Sequence, residues 1–518
     1  MTFSSETRAR TAAWLVLLAG LSVRIALSGQ FLLVPDETNY WQWSRYLALG
    51  YQDHPPMIAW TIWLATKIFG QNELAVRLPA NLGVSLAAGY TMLLAARMLS
   101  WRTAFHVSLL FQGLLLFSGT ALIATPDSML LPCWAGACYH AYQALKHNRA
   151  QQWLATGCWF GLGLLSKYTM LLFLPSLLLC IVFSKAYRGR LSQPAPWLGL
   201  LLGFAIFTPV LVWNAQNEWA TFRHVLFMGG IGSKRLLTLR YFVDFLGEQI
   251  GLLSPVVFFL ILKAWLDKTA GRIQDVADQD FLLWTSLPTF LVFFVLSFHS
   301  RVYGNWPATG YLTAIILIAG IHAPDSTRNL MPGKLWKSAV LVAYLFSLTV
   351  MAQVIYPLLP VPVQYDRTAR ETVGWDLLGR NVEEVMTAMG HRRDPFIFAL
   401  SYQFASEMAF YVPGQPRTVS LNRWTRPNVY DYWFNDGMLR GRNGVGVIDD
   451  PQLVQLLRTM FFWVVIDREV PIYRNSPWRG KELVTTLYLV RAYGFTRGQR
   501  WKPRMTDDIR ATKTQTGR

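Results

Sequence analysis

Apolar runs of about 17–25 residues, the length a helix needs to cross a bilayer, recur between residues 11 and 357. No other feature limits this chain's fold so strongly. A helix buried in lipid must satisfy its own backbone, so repeated runs dictate a bundle of helices. Only 15% of the 518 residues are charged and 53% are hydrophobic. A soluble globular chain carries about a quarter charged residues. The class is therefore a polytopic α-helical membrane protein.

The net charge of +18 does not point to nucleic acid. Lys and Arg sit mainly between the apolar runs, where membrane topology places them, and not on one soluble face. Cys133, Cys138, Cys158 and Cys180 all lie in apolar segments, with neither a disulfide framework nor metal spacing. Arg8 and Arg10 precede the first run as in a signal peptide. No small-x-small cleavage site follows, and more runs do, so the reading is an uncleaved first helix.

About eleven spans are expected, with room for 11–13: 11–30, 79–97, 103–122, 128–145, 152–166, 168–184, 196–214, 250–266, 281–298, 307–322 and 337–357. Placing the N-terminus in the cytoplasm makes every expected cytoplasmic loop short and basic. Those loops carry Arg97/Arg102, Lys146/Arg149, Lys185/Arg188/Arg190, Lys263/Lys268/Arg272 and Arg328/Lys334/Lys337. The opposite loops, including 31–78 and 214–249, hold fewer cations per residue. An odd number of crossings then puts residues 358–518 outside the cytoplasm.

Residues 1–357 read as the membrane domain and 358–518 as a separate soluble one. The second part has short apolar runs at 396–400, 461–466 and 486–490, with helical patterns at 371–390 and 451–460. Strands alternating with helices predict a small α/β domain. The last fifteen or so residues form a polar tail.

The unusual polar residues fall on one side of this topology. The outer loops hold 36-DE-37, 53-DHPP-56, 125-TPDS-128, 166-SKY-168, 214-NAQNEW-219 and 299-HSRVYGNW-306. Ionisable groups at a membrane boundary are functional candidates. Each also has a plainer use. Asp36, Glu37 and Asp127 suit a helix N-terminus. Lys167 and Arg301 suit snorkelling at a membrane end. His54 in HPP suits a turn. The stretch 216–224 reads as an interfacial helix, and the aromatic run 40-YWQWSRY-46 suits the interface whatever the function.

The ordered set DETNYWQWSRYLALGYQDHPP, TPDSMLL, GLLSKYT, WNAQNEW and YGNWPA resembles bacterial membrane glycosyltransferases of the protein-O-mannosyltransferase-like family, which includes the lipid A aminoarabinose transferases. The resemblance covers about residues 8–360 and continues more weakly through 374–380, 407–416 and 421–433. It implies the GT-C superfold, a bacterial inner-membrane location and an outer-face active site. The implied donor is a sugar on a polyprenyl phosphate. The family's acidic pair falls on Asp36 and Glu37, and its second-loop acid on Asp127. The aminoarabinose transferases differ after the pair, with a basic residue where this chain has Asn39.

Breaking the C1–O–P bond of such a donor needs a base for the acceptor hydroxyl and cations for the leaving phosphate. Asp36 is the expected base, with Glu37 orienting it or binding sugar. Lys167 and Arg301 are the expected phosphate ligands. Asp127 is open to sugar binding, acceptor positioning or a share in a divalent ion. Asp53, His54, Asn214, Asn305 and Trp306 are expected to bind sugar or acceptor, or to position the loops. A single displacement inverts C1, and the resemblance favours it. No P-loop or strand-linked GxGxxG calls for a nucleotide, and the one cofactor left open is a divalent metal ion. The expected partners are the lipid-linked donor, membrane lipid and an envelope acceptor, whether lipid, glycan or protein. Two rival classes are a flippase for lipid-linked glycans and a non-catalytic membrane scaffold. A flippase places its charges near the midplane on repeated, broken helices, and no repeat is evident here.

Overall fold

A computed structural model describes residues 5–228, 239–273, 277–323, 333–390, 395–421 and 428–498. The polar tail, the segment 229–238 within the expected loop 214–249, Arg328 and residues 422–427 of the motif at 421–433 lie outside the described residues. The chain forms two compact units. One contains residues 1–28 and 48–351, the other residues 29–47 and 352–518.

The first unit is helical. Five described helices are long and apolar enough to cross a membrane: Ser5–Leu27, Glu73–Met98, Pro194–Gln216, Gln279–Leu296 and Lys334–Ile355. The count reaches seven if two bent pairs each make one span. These are Trp101–Gly113 with Leu115–Leu122, bent by 61°, and Leu239–Leu253 with Pro255–Thr269, bent by 107°. The count of about eleven read from apolar runs also took in Pro126–His147, Ala150–Ser166, Tyr168–Phe183 and Ala308–His322, which are shorter or interrupted by polar residues. The stretch read as loop 31–78 contains two helices, Pro35–Arg45 and Met57–Phe69.

Packing in this unit follows small residues. Ala150–Ser166 lies against both Pro126–His147 and Pro194–Gln216. Gly157 and Gly161 on one helix meet Gly199 and Gly203 on the other, each pair four residues apart. A Cβ on Gly157 would stand 1.9 Å from the Gly199 carbonyl oxygen. Helices in lipid gain little from burying apolar surface, so close backbone approach and van der Waals packing must hold them. Trp134, Phe111, Phe117 and Phe173 fill the shared core.

The second unit is α/β. Its mixed sheet comprises β1 (Phe396–Ala399), β2 (Thr418–Ser420), β3 (Gly444–Ile448), β4 (Phe461–Ser476) and β5 (Gly480–Phe495), in the order β2-β1-β3-β5-β4. β1 pairs in parallel with β2 and β3, while β3–β5 and β5–β4 are antiparallel. The helix Trp375–Met389 buries Leu378, Val382 and Val385 at helical spacing, in one apolar cluster with Ile397, Val445 and Leu489.

Candidate active site

The helix Pro126–His147 begins after the extended residue Thr125, with Pro126 in its first position. Asp127 follows and is buried. A first-turn acid ordinarily faces water and the helix dipole. Here the carboxylate instead accepts two bonds from Lys167, whose Nζ lies 2.9 Å from Oδ1 and 2.8 Å from Oδ2. Asn305 Nδ2 donates a third bond to Oδ2 at 2.9 Å. Lys167 reaches this point because the helix Ala150–Ser166 stops one residue earlier and the chain turns extended at φ −157 and ψ 140. Its Nζ stands 6.0 Å from the Trp306 ring centroid.

Three distant segments thus converge on one buried ion pair. Both partners are under a tenth exposed. Burying two charges costs several kcal/mol, about 3–5 kcal/mol being lost if one partner is removed, so such a pair needs its extra hydrogen bond. An ammonium has three N–H donors, and two serve Asp127. Arg301, expected beside Lys167, is exposed and stacks 5.2 Å over the Tyr303 ring.

Asp53 and Asn214 meet a second group in the same unit. His224 Nε2 lies 3.3 Å from Asp53 Oδ1. Thr221 Oγ1 donates to the Tyr51 carbonyl at 2.8 Å, and its N–H donates to Asn214 Oδ1 at 3.2 Å. The His54 carbonyl accepts from the Tyr51 N–H at 3.3 Å and closes the turn. His224 and Thr221 escaped the sequence reading, although both fall in the stretch 216–224 read as an interfacial helix.

Asp36 and Glu37 belong to the other unit. Pro35 opens the helix Pro35–Arg45, and the two acids occupy its first turn. Asp36 is exposed, whereas Glu37 is fully buried. Glu37 Oε2 accepts the Val34 N–H at 3.1 Å, the backward half of a capping box. The helix is anchored within its unit. The Leu33 N–H donates to the Tyr411 hydroxyl at 2.7 Å, and Gln42 Nε2 to Tyr430 Oη at 3.1 Å and Thr418 Oγ1 at 3.3 Å. Trp41 packs edge-on against Phe410, and Tyr46 stacks on Trp433 at 4.4 Å. Burial pushes the Tyr430 phenol above its ordinary pKa. Asn39 is buried too, and its Oδ1 has no hydrogen-bond partner among the described residues. Among the described residues no three His, Cys, Asp or Glu side chains come together to hold a metal ion.

The same architecture occurs in solved structures. ArnT from Cupriavidus metallidurans superposes with a TM-score of 0.61 in its apo state, covering 92% of this chain and 97% of that one at 15% identity. The same enzyme bound to undecaprenyl phosphate gives 0.62, covering 94% and 99% at 16% identity. The fold is the GT-C fold of ArnT. ArnT is thus matched over nearly its full length. Residues 53–213 match the family model described as dolichyl-phosphate-mannose-protein mannosyltransferase. Lipid A galacturonosyltransferase RgtD of Rhizobium johnstonii is 28% identical over 289 residues, 54% of this chain and 59% of that protein. Undecaprenyl phosphate-alpha-4-amino-4-deoxy-L-arabinose arabinosyl transferase of Pseudomonas aeruginosa is 25% identical over 319 residues, 56% of each chain. The chain spans somewhat over half the length of these relatives. The resemblance read from the motifs is borne out.

Proposed function

We propose that this protein is a glycosyltransferase that moves a sugar from a polyprenyl-phosphate carrier to a lipid acceptor at the outer face of the bacterial inner membrane. One observation carries the reading: Asp127, Lys167 and Asn305, read from the sequence as site residues, converge on a buried ion pair in a chain with the ArnT fold. The names of the relatives supply the substrate classes, a polyprenyl-phosphate sugar as donor and lipid A as acceptor. The soluble unit lies on the same outer face, as the basic loops indicate.

In this reading Asp36 removes the proton from the acceptor hydroxyl as that oxygen attacks C1. The C1–O bond to the phosphate breaks in the same displacement, and C1 inverts. The polyprenyl phosphate leaves with an added negative charge. Lys167 faces that charge, held in place by Asp127. Glu37 fixes the first turn that presents Asp36. Arg301 is an outer phosphate ligand. Asp53, His54, Asn214, Asn305 and Trp306 position the loops around sugar and acceptor.

The test uses purified protein in lipid with a panel of radiolabelled polyprenyl-phosphate sugars and envelope extract. Label passing from the polyprenyl phosphate to a second, chromatographically distinct lipid, with release of polyprenyl phosphate, names donor and acceptor class together. Saturable donor binding with no transfer from any donor sinks the reading and favours transport.

A further inference from the structure

We infer that the tip of the β4–β5 hairpin, together with residues 355–365, forms a foot that seats the α/β unit on the headgroup layer of an anionic bilayer. The inference rests on Lys334–Ile355 being a membrane span and not on sugar transfer.

The hairpin is much longer than the sheet it joins. β3 pairs with β5 only from Tyr488 to Ala492, so residues 480–487 pair with β4 alone and reach beyond the central strands. The reaching end is tied to the chain that leaves the span. Trp478 Nε1 donates to the Leu358 carbonyl at 2.7 Å, and Leu358 lies three residues past the last residue of Lys334–Ile355. Arg474 Nη2 donates to the Val361 carbonyl at 2.7 Å. A span of 22 residues is about 33 Å long, enough to cross the hydrocarbon, so the segment just after it stands at the lipid–water boundary. The hairpin tip stands there with it.

The surface at that point is wrong for water. Trp478 is 64% exposed and bonds Leu358, and Tyr356, Leu358, Leu359 and Tyr365 of the segment after the span are exposed. Contiguous exposed apolar side chains mark an interaction surface. Trp and Tyr at a span's end are the usual interfacial anchors. Arg479 and Lys481 flank the tip and are exposed, with Lys481 Nζ 4.3 Å over the Tyr473 ring. Glu482, the nearby acid, accepts from the buried Arg474 at 3.1 Å through Oε2, and its Oε1 lies 3.9 Å from Arg479 Nε. Aromatic and aliphatic groups flanked by cations suit a layer of anionic headgroups.

The test places a photoreactive benzoylphenylalanine at Trp478 or at Phe462 in the full chain, reconstituted in phosphatidylcholine–phosphatidylglycerol liposomes. Phe462 is 83% exposed on the same strand, about 46 Å from the tip along β4. After illumination, mass spectrometry counts lipid adducts. The expected result is at least five-fold more lipid adduct at 478 than at 462. The further variant R479E/K481E should lower the adduct at 478 in these liposomes and leave it unchanged in pure phosphatidylcholine. Equal adducts at both positions, no adduct at 478, or cross-linked protein dimers in place of lipid would overturn the foot. Thermal unfolding of each variant confirms that the chain is folded.

Discussion

Lys167 Nζ lies 2.8 Å from Asp127 Oδ2 at a point where both side chains are buried, forty residues apart in sequence. Such a pair is held by mutual need. Asp127→Asn leaves an ammonium in a buried site facing a neutral amide. Lys167→Met leaves the carboxylate with Asn305 alone. Each single change should cost about 3–5 kcal/mol, and the double variant clearly less than the sum. Thermal unfolding of the four proteins in detergent checks this. Additive losses would show that the two charges are not coupled.

The glycine contact between Ala150–Ser166 and Pro194–Gln216 leaves no room for a methyl group. A Cβ on Gly199 would lie 2.3 Å from the Trp153 carbonyl oxygen, a backbone atom that cannot swing aside. Gly199→Ala should destabilise the protein by about 1–3 kcal/mol. Gly119→Ala, where nothing lies within 4 Å, should be close to neutral. Comparing the two melting curves separates close packing from a general effect of adding a methyl group.

Asp366 makes the stability of the α/β unit sensitive to acid. Burial alone would raise its pKa, but hydrogen bonds from Thr368, Gln353, Arg474 and the Ala369 N–H outweigh burial and hold it below its ordinary value. A depressed carboxyl pKa contributes stability that is present above the unfolded pKa and lost as pH falls through the folded one. Stability should therefore be flat near neutrality and fall below about pH 4, the unfolded pKa of an Asp. Asp366→Asn should be less stable at pH 7 and should lose that acid slope. Unfolding followed at several pH values decides it, and identical slopes in both proteins would count against it.

Much of this was readable in the residues. The length of the apolar runs located most of the helices of the first unit. The polar motifs single out Asp127, Lys167 and Asn305. Their bonding was not readable, because the pairing of residues 127, 167 and 305 depends on where two helices begin and a third ends. The short runs at 396–400, 461–466 and 486–490 became β1, β4 and β5. β3 escaped because 444-GVGVI-448 is glycine-rich, and glycine weakens a strand. The fold explains it: a Cβ on Gly446 would lie 2.4 Å from Phe398 Cζ. The place of residues 29–47 with residues 352–518 was also hidden, since it rests on contacts between residues hundreds of positions apart, such as Gln42 with Tyr430 and Trp41 with Phe410.

That contact yields its own prediction. Gln42→Leu removes donors from both the Tyr430 hydroxyl and Thr418 Oγ1 inside a buried region. Each hydroxyl keeps one partner, Ser406 Oγ for Tyr430 and the Ala405 carbonyl for Thr418, so the loss is two buried hydrogen bonds, about 0.5–1.5 kcal/mol each. The helix Pro35–Arg45 should loosen first, so cleavage near residues 29–47 should rise in limited proteolysis. Cleavage unchanged there, with melting unchanged, would show that this helix is held by apolar contacts alone.

The central claim is sugar transfer with Asp36 as its base, and one measurement meets it directly. Asp36 is exposed, so Asp36→Asn should keep the fold. Purified wild type and Asp36→Asn in lipid would each receive one radiolabelled polyprenyl-phosphate sugar in single turnover, with the lipid acceptor present. The account predicts polyprenyl phosphate release by the wild type and a loss of at least a hundredfold in the variant, within the range a positioned general base supplies, about 10²–10⁴-fold. Equal release by the two proteins would contradict the assignment of the base, and no release by either would contradict the reaction itself.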